Sequence, residues 1–492
     1  MSGRRLVRNS LFMTGSVVGG GLLLFFILVL CARYIGVEQF GKFTLVITIA
    51  AIFQLFADGG LVNITIRDAA RDTEKSGEIL GATRALAWLM TVVLGALLVL
   101  ASEILVQDRS FKITLYAMGA AALAALHASV YAAILRAHED MGIVAVSGIA
   151  HKVVLLGMVV AAIKLDAKIE GVAVAHLAAN LLQWFFHAAL VRSRYARSRL
   201  RLDRAHVAYL MREALPLGAG VVLRRFNVHL HTFLLTGLAG AMAVGLYNSA
   251  YRFLQMIEVG ALALASVLFP ALAKLQKSSQ EQFNKLYSDS LRMMVVASAP
   301  VGGLLAALGD RYVIVIYGDS YASAGIVLKI LGASLIFLVP GALAHSVFSA
   351  LGRQASFMRV SLAGIVANVV IGGAMIRFYQ STGAALATLS TELVTFIVAA
   401  WYFRAEKVVV DYTGIYLRAA VPAAILAIPA SFLGHSYGLP GLIAATAIYG
   451  IAYAVAAFLC GAITPKELAL IAGRRRKPQA DAVANLEPQS GN

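Results

Sequence analysis

The sequence predicts an all-α integral membrane protein with about fourteen transmembrane helices, and three observations predict it. Of 492 residues, 60% are hydrophobic and only 14% are charged, too few charges for the surface of a soluble domain of this length. Mean hydropathy is +0.80. Apolar runs of roughly 20 residues recur along the whole chain, the length a helix needs to cross a hydrocarbon core of about 30 Å.

The spans follow in order. Arg4, Arg5 and Arg8 precede span 1 (11–33), and no small-residue cleavage site ends it, so it reads as a retained helix and not a removed signal peptide. A short turn leads to span 2 (43–63), and a basic stretch, 64–78, separates it from span 3 (79–101). Spans 4 (113–135) and 5 (143–163) are joined through His138-Glu139-Asp140. Span 6 (171–191) runs into the longest connection, 192–213, which holds seven arginines. Leu215-Pro216 opens span 7 (214–236), and Pro270 ends span 8 (245–268). Spans 9 to 12 cover 287–308, 326–350, 360–377 and 384–403. Span 13 (419–433) is short and carries Pro422 and Pro429; span 14 covers 441–463. No connection is long enough to fold as a soluble domain. Cys31 and Cys460 fall in or beside spans, so no disulfide is expected.

Lysine and arginine set the orientation. With the N-terminus inside, the inner segments hold 27 of the 42 cations and the outer segments with their edges hold 8. This asymmetry places both termini on the cytoplasmic side, and the expected location is a bacterial inner membrane, which the chain crosses many times. It also accounts for most of the +17 net charge without nucleic acid, because basic loops face anionic membrane lipid.

An internal repeat is visible at an offset of 204. Residues 36–43 match 240–247: Gly36 aligns with Gly240, Gly41 with Gly245, and Phe43 with Tyr247. Both segments fall in the outer turn between the first two spans of a half. Two six-helix halves in the same orientation are a transporter plan. The expected organisation is 1–212 and 213–404 as six-helix bundles, 405–465 as two additional spans, and 466–492 as a polar, disordered tail.

Motifs that resemble chemistry mostly dissolve on inspection. Gly36 to Lys42 is a near miss to a Walker loop, but Phe43 replaces the magnesium-binding Ser or Thr, and the segment joins membrane helices. His138-Glu139-Asp140 sits in a short loop where charges are ordinarily solvated. No signature of an enzyme, a resident metal or a cofactor is present, and a transporter is the expected class.

The informative residues are polar ones at membrane depth, where a charge costs roughly 2.5–3.5 kcal/mol on insertion scales. On span 7, Gly220, Arg224, Asn227 and His231 share one stripe, flanked by Arg225, His229, Thr232 and Thr236, with an apolar side opposite. Val221, Val228 and Leu235 interrupt the polar arc. Snorkelling to an interface is the competing reading; against it, both arginines lie about ten residues in from the start of the span. On span 8, Tyr247, Asn248, Tyr251, Arg252, Gln255 and Glu258 fall within one arc, where Arg252 and Glu258 offset each other or glue helices. On span 6, His176, Asn180, Gln183 and His187 form a stripe suited to hydrogen bonding or proton handling, not to a shared metal. Gln54 and Asp58 lie one turn apart on span 2. His127 and Glu392 read as satisfied interhelical hydrogen bonds.

Taken together, these segments resemble a known family: Ala32-Arg33-Tyr34-Ile35-Gly36 with Phe40-Gly41-Lys42-Phe43, Ala57-Asp58-Gly59-Gly60-Leu61, Leu215-Pro216, Gly245-Leu246-Tyr247-Asn248-Ser249-Ala250-Tyr251 and Pro270. They are similar, over roughly 1–465, to the polysaccharide-transporter family, the O-antigen and exopolysaccharide repeat-unit flippases of the MOP superfamily. The resemblance implies a V-shaped pair of six-helix bundles around a central cationic cavity. The implied substrate is an undecaprenyl-pyrophosphate-linked oligosaccharide moved by alternating access, with a polysaccharide polymerase and export machinery as further candidate partners. Arg224 and Arg225 are then expected to bind the anionic head group, supported by Arg252, Arg33, Asn227 and His231. Asp58, Glu258, His176, His187 and His229 are the candidates for ion coupling. Three other readings stay open: a lipid II flippase, which shares the fourteen helices and basic cavity; a drug exporter, which favours an acidic cavity and twelve helices; and a membrane polymerase or ligase, which should carry a large outer loop.

Overall fold

The computed structural model describes residues 3–195, 204–436 and 438–463, with the side chains at 3–14, 17, 204–211 and 213–228 outside the description. The described chain is helical: α1 (Gly3–Asp58), α2 (Leu61–Arg71), α3 (Ser76–Leu105), α4 (Arg109–Ala137), α5 (Met141–Lys164), α6 (Lys168–Arg194), α7 (Arg204–Ser278), α8 (Gln280–Tyr317), a 3-10 turn Asp319–Tyr321, α9 (Ala324–Ala350), α10 (Gln354–Ala405), α11 (Tyr412–Ser436) and α12 (Gly438–Leu459). Among the described residues, eleven helices are long and apolar enough to cross a membrane.

Three of these helices are broken inside by one non-helical residue: Gly36 in α1, Gly240 in α7 and Gln380 in α10. The breaks fall where the sequence divides span 1 from 2, 7 from 8 and 11 from 12. At the third break the chain folds back on itself. A Cβ on Gly364 would lie 2.6 Å from Thr395 Cγ2, one on Gly372 3.6 Å from Ala387 Cβ, and one on Gly383 2.8 Å from Ile376 N. Each contact pairs an earlier residue with a later one at a constant index sum, the mark of an antiparallel helical hairpin.

The repeat has a backbone counterpart. Gly36 adopts φ 77°, ψ 172° and Gly240 adopts φ 80°, ψ 177°. A positive φ of this kind is open to glycine and strained for other residues, so both turns demand it. Small residues then bring helices together, as lipid offers no hydrophobic drive for helix association. Along α8 and α9, Gly302 faces Gly332 and Gly309 faces Gly325, one heptad apart, with a Gly302 Cβ placed 2.7 Å from the Gly332 carbonyl.

Contacts group the turns into two ends. At one end, Arg33 donates through Nε and Nη2 to the Ile316 and Val315 carbonyls, both at 2.6 Å, and Tyr321 donates to the Ala32 carbonyl at 3.0 Å. Tyr34 donates to Asp166 at 2.8 Å, and Lys42 lies 3.5 Å from Asp108. At the other end, Ser76 bonds His138 Nε2 at 3.1 Å, Tyr195 donates to Asp140, and Arg353 pairs with Glu406 at 2.7 Å. The His138-Glu139-Asp140 loop is thus pinned to its neighbours through His138 and Asp140.

Several boundaries differ from expectation: α8 starts seven residues before span 9 and ends nine after it, and α11 starts seven residues before span 13. Span 2 stops at Asp58, because Gly59 (φ 46°) and Gly60 (φ 93°) turn the chain. The basic stretch beyond forms the separate amphipathic helix α2. Its Leu61 and Ile64 are buried while Arg71 is exposed. Cys31 is buried, Cys460 is exposed, and both are free thiols.

Candidate central cavity

Polar groups of α1, α2 and α4, with His229 of α7, line a cavity of about 260 Å³. Gln54 and Asp58 come from the end of α1, Asn63 from α2, Ser129 and Arg136 from α4, and His229 from α7. The glycine break after Asp58 lets α2 leave at an angle, which frees the carboxylate to cap it: Asp58 Oδ1 accepts from Val62 N–H at 3.1 Å. Arg136 is half-buried, makes no ion pair among the described residues, and its Nε has no hydrogen-bond partner there. A guanidinium left this way in a low-dielectric site is costly and favours an anion beside it.

The structure brings together two of the residues singled out for coupling, Asp58 and His229, and leaves others elsewhere. His187 lies in the core of the first half, bonding Ser147 through Nε2 at 2.9 Å and the Ala128 carbonyl through Nδ1 at 3.0 Å. His176 is buried there too: it bonds the Val172 carbonyl at 2.9 Å and meets Phe43 edge to face, while Asn180 donates to the His176 carbonyl. His231 is buried in the second half, where Asn368 donates to its Nε2 at 2.9 Å and Thr388 lies at 3.3 Å. Tyr247 joins this network through Thr388 at 2.8 Å.

Arg33 spends its Nε and Nη2 donors on the last carbonyls of α8, at the end that Gly36 and Gly240 occupy. Arg252 is half-buried and donates to Gln255 at 2.6 Å instead of pairing with Glu258, which is half-buried on the same helix. Glu392 lines a 150 Å³ cavity of the second half; its carbonyl accepts from Thr395 at 2.9 Å, but its carboxylate makes no hydrogen bond among the described residues, unlike the interhelical bond expected of it. His127 does follow expectation, bonding Thr91 at 3.1 Å and stacking with Trp184. The side chains of Arg224, Arg225 and Asn227 lie outside the described residues.

Sequence reasoning missed two cations. Arg136 falls one residue past the expected end of span 4 (113–135), yet it belongs to the last turn of α4 and lines the cavity. Lys152, half-buried in the middle of α5, has no carboxylate partner among the described residues. Its signal is in the sequence: a lone lysine nine residues past the start of apolar span 5.

Comparison with known proteins identifies the context. A family model described as "Polysaccharide biosynthesis protein" matches residues 6–276. The chain is 24% identical over 160 residues to the probable low-salt glycan biosynthesis flippase Agl15 of Haloferax volcanii, covering 32% of this chain and 34% of that protein. It is 25% identical over 166 residues to the probable flippase AglR of the same organism, with the same coverage. The chain thus spans about a third of the length of the curated relatives it matches. Among solved structures, the lipid II flippase MurJ in an inward closed conformation superposes with a TM-score of 0.76 at 13% identity, covering 94% of this chain and 99% of that one. An inward-facing multidrug resistance MATE transporter of the MOP superfamily gives 0.65 at 15% identity, covering 81% and 98%. These two likenesses establish the fold.

Proposed function

We propose, for a chain that belongs to the polysaccharide biosynthesis protein family, that it is a flippase and not an enzyme. It moves undecaprenyl-pyrophosphate-linked oligosaccharide repeat units across a bacterial inner membrane for polysaccharide synthesis. The observation that carries this reading is the cavity whose lining Arg136 shares with Gln54, Asp58, Asn63 and His229, its guanidinium making no ion pair among the described residues. A diphosphate leaving water needs fixed donors in a low-dielectric site, and a guanidinium supplies a planar pair of them.

Arg225 precedes cavity-lining His229 by one helical turn, so Arg224 and Arg225 extend the same helix toward the bound head group. Asn227 belongs to the same segment. Alternating access opens and closes the cavity around the Gly36 and Gly240 turns, with 1–212 and 213–404 as the moving halves. Asp58 and His229 are the coupling pair that the cavity favours, since both line it. Both termini face the cytoplasm, as the 27-to-8 cation asymmetry supports.

The test is the fate of the substrate. Deletion of the gene should leave lipid-linked repeat units on the inner leaflet. Repeat units that reach the outer leaflet and stay unpolymerised would instead favour a polymerase or ligase. Loss of cell-wall precursor export, with glycan export intact, would favour the lipid II reading.

A further inference from the structure

Away from the cavity, α5 and α6 leave a groove of about 750 Å³ on the outside of the first half. Its walls are apolar: Val146, Val154 and Leu182 line it and are exposed, with Leu182 at 51%. Among the described residues no acidic one lines it, and Arg194 closes one end beside Gly142, at the end of the molecule assigned to the cytoplasm. The nearby carboxylate of Asp140 is engaged by Tyr195. Besides Gln183, two polar groups of the walls are turned to the protein: Ser147 bonds His187, and His151 Nε2 is inaccessible.

Length adds a second constraint. From Gly142 to Val154 the groove follows α5 for twelve residues, about 18 Å at 1.5 Å per residue. Half of a hydrocarbon core of about 30 Å is close to that length. The groove therefore runs from the cytoplasmic interface to near the midplane and stops, with its one lining charge at the interface end. This is the shape and polarity of one leaflet's lipid. The chain continues in sequence through Arg197, Arg199 and Arg201, and such basic clusters beside a membrane helix attract anionic headgroups.

We propose that the α5–α6 groove binds one anionic phospholipid of the cytoplasmic leaflet, its phosphate on Arg194 and an acyl chain along Val146, Val154 and Leu182. The site is independent of the transport substrate. A polyprenyl carrier is a poorer fit, because its chain far exceeds a groove that ends near the midplane. Since α5 also packs on α1, where Ser16 donates to the Ala145 carbonyl at 2.8 Å, the lipid braces the helix that leads to the Gly36 turn.

The experiment uses the full-length protein in nanodiscs with a diazirine-labelled phosphatidylglycerol, and maps the labelled peptides by mass spectrometry. Labelling should concentrate on 142–154 and 179–194 and be competed by unlabelled phosphatidylglycerol but not by phosphatidylcholine. Arg194→Gln should reduce it about fivefold, Arg194→Lys should retain most of it, and Val146→Phe, on an exposed position, should displace it from the groove. Equal labelling by a diazirine phosphatidylcholine, or no loss in Arg194→Gln, would overturn the proposal. So would stronger competition by undecaprenyl phosphate than by phosphatidylglycerol.

Discussion

Gly41 and Gly245, 204 positions apart, make the same contact in mirror-related roles. A Cβ on Gly41 would overlap the backbone carbonyl of Ala241, and a Cβ on Gly245 would overlap that of Val37. Adding 204 to Val37 and Gly41 gives Ala241 and Gly245, so the two contacts exchange under the repeat. The halves thus cross through their glycines just beyond the turns at Gly36 and Gly240. Backbone carbonyls cannot rotate away as side chains do, and this makes the crossing intolerant of even one methyl group.

Gly41→Ala and Gly245→Ala should therefore weaken closure of this end similarly, by about 1–3 kcal/mol each, the usual cost of overpacking. Cysteine accessibility at position 238 or 242, before and after each substitution, checks this. An unchanged pattern in both variants would show that the end does not depend on the crossing.

Arg224→Ala and Arg225→Ala should leave the protein abundant in the membrane while reducing polymer export. Removing a charge from the interior of an apolar span eases insertion by about 2.5–3.5 kcal/mol per residue, so lost export in an abundant protein points to lost anion binding. Arg→Lys at either position should keep part of the activity, because the charge stays and the two-pronged donor goes. If both Ala variants export normally, snorkelling explains the pair.

Asp108, between α3 and α4, caps α4 by accepting from Ser110 N–H at 2.9 Å and Phe111 N–H at 3.3 Å. The Phe111 N–H, with Ser110 N–H and Lys42, holds its carboxyl below the ordinary value. A depressed folded value means that the group stabilises the fold above about pH 4, and that this is lost as pH falls through the folded value. Asp108→Ala should lower the Tm at pH 7 by the equivalent of about 1 kcal/mol, and the gap to wild type should narrow at pH 3. A gap that stays constant down to pH 3 would remove the cap from the account.

Reporter fusions at 200 and 480 should both be active only with a cytoplasmic marker. A periplasmic signal at either position would overturn the orientation.

Much of the fold was legible because hydropathy and glycine placement are local signals. The Gly36 and Gly240 turns could be aligned from sequence because each needs a residue free to adopt positive φ. Helix α2 was not legible as a separate element, since 61–63 read as the end of span 2 and the residues after it as a basic connection until the Gly59-Gly60 turn is seen. The site was only half legible. Helical stripes put His176, His187 and His231 on polar arcs, but a stripe does not say whether it faces a cavity or another helix. Two of these histidines are tied to neighbouring helices in the cores of their halves. Arg136 was missed for the opposite reason: its place near a loop hid the fact that α4 carries it to the cavity.

The account rests on movement of an anionic lipid-linked glycan through this protein, and reconstitution tests that most directly. Purified protein in liposomes is given a fluorescent undecaprenyl-pyrophosphate-linked oligosaccharide, and its outer-leaflet fraction is followed with a membrane-impermeant quencher. The account predicts translocation by wild type that falls at least about tenfold in Arg136→Ala, a loss near 1.4 kcal/mol. Equal translocation by wild type, Arg136→Ala and protein-free liposomes would contradict it.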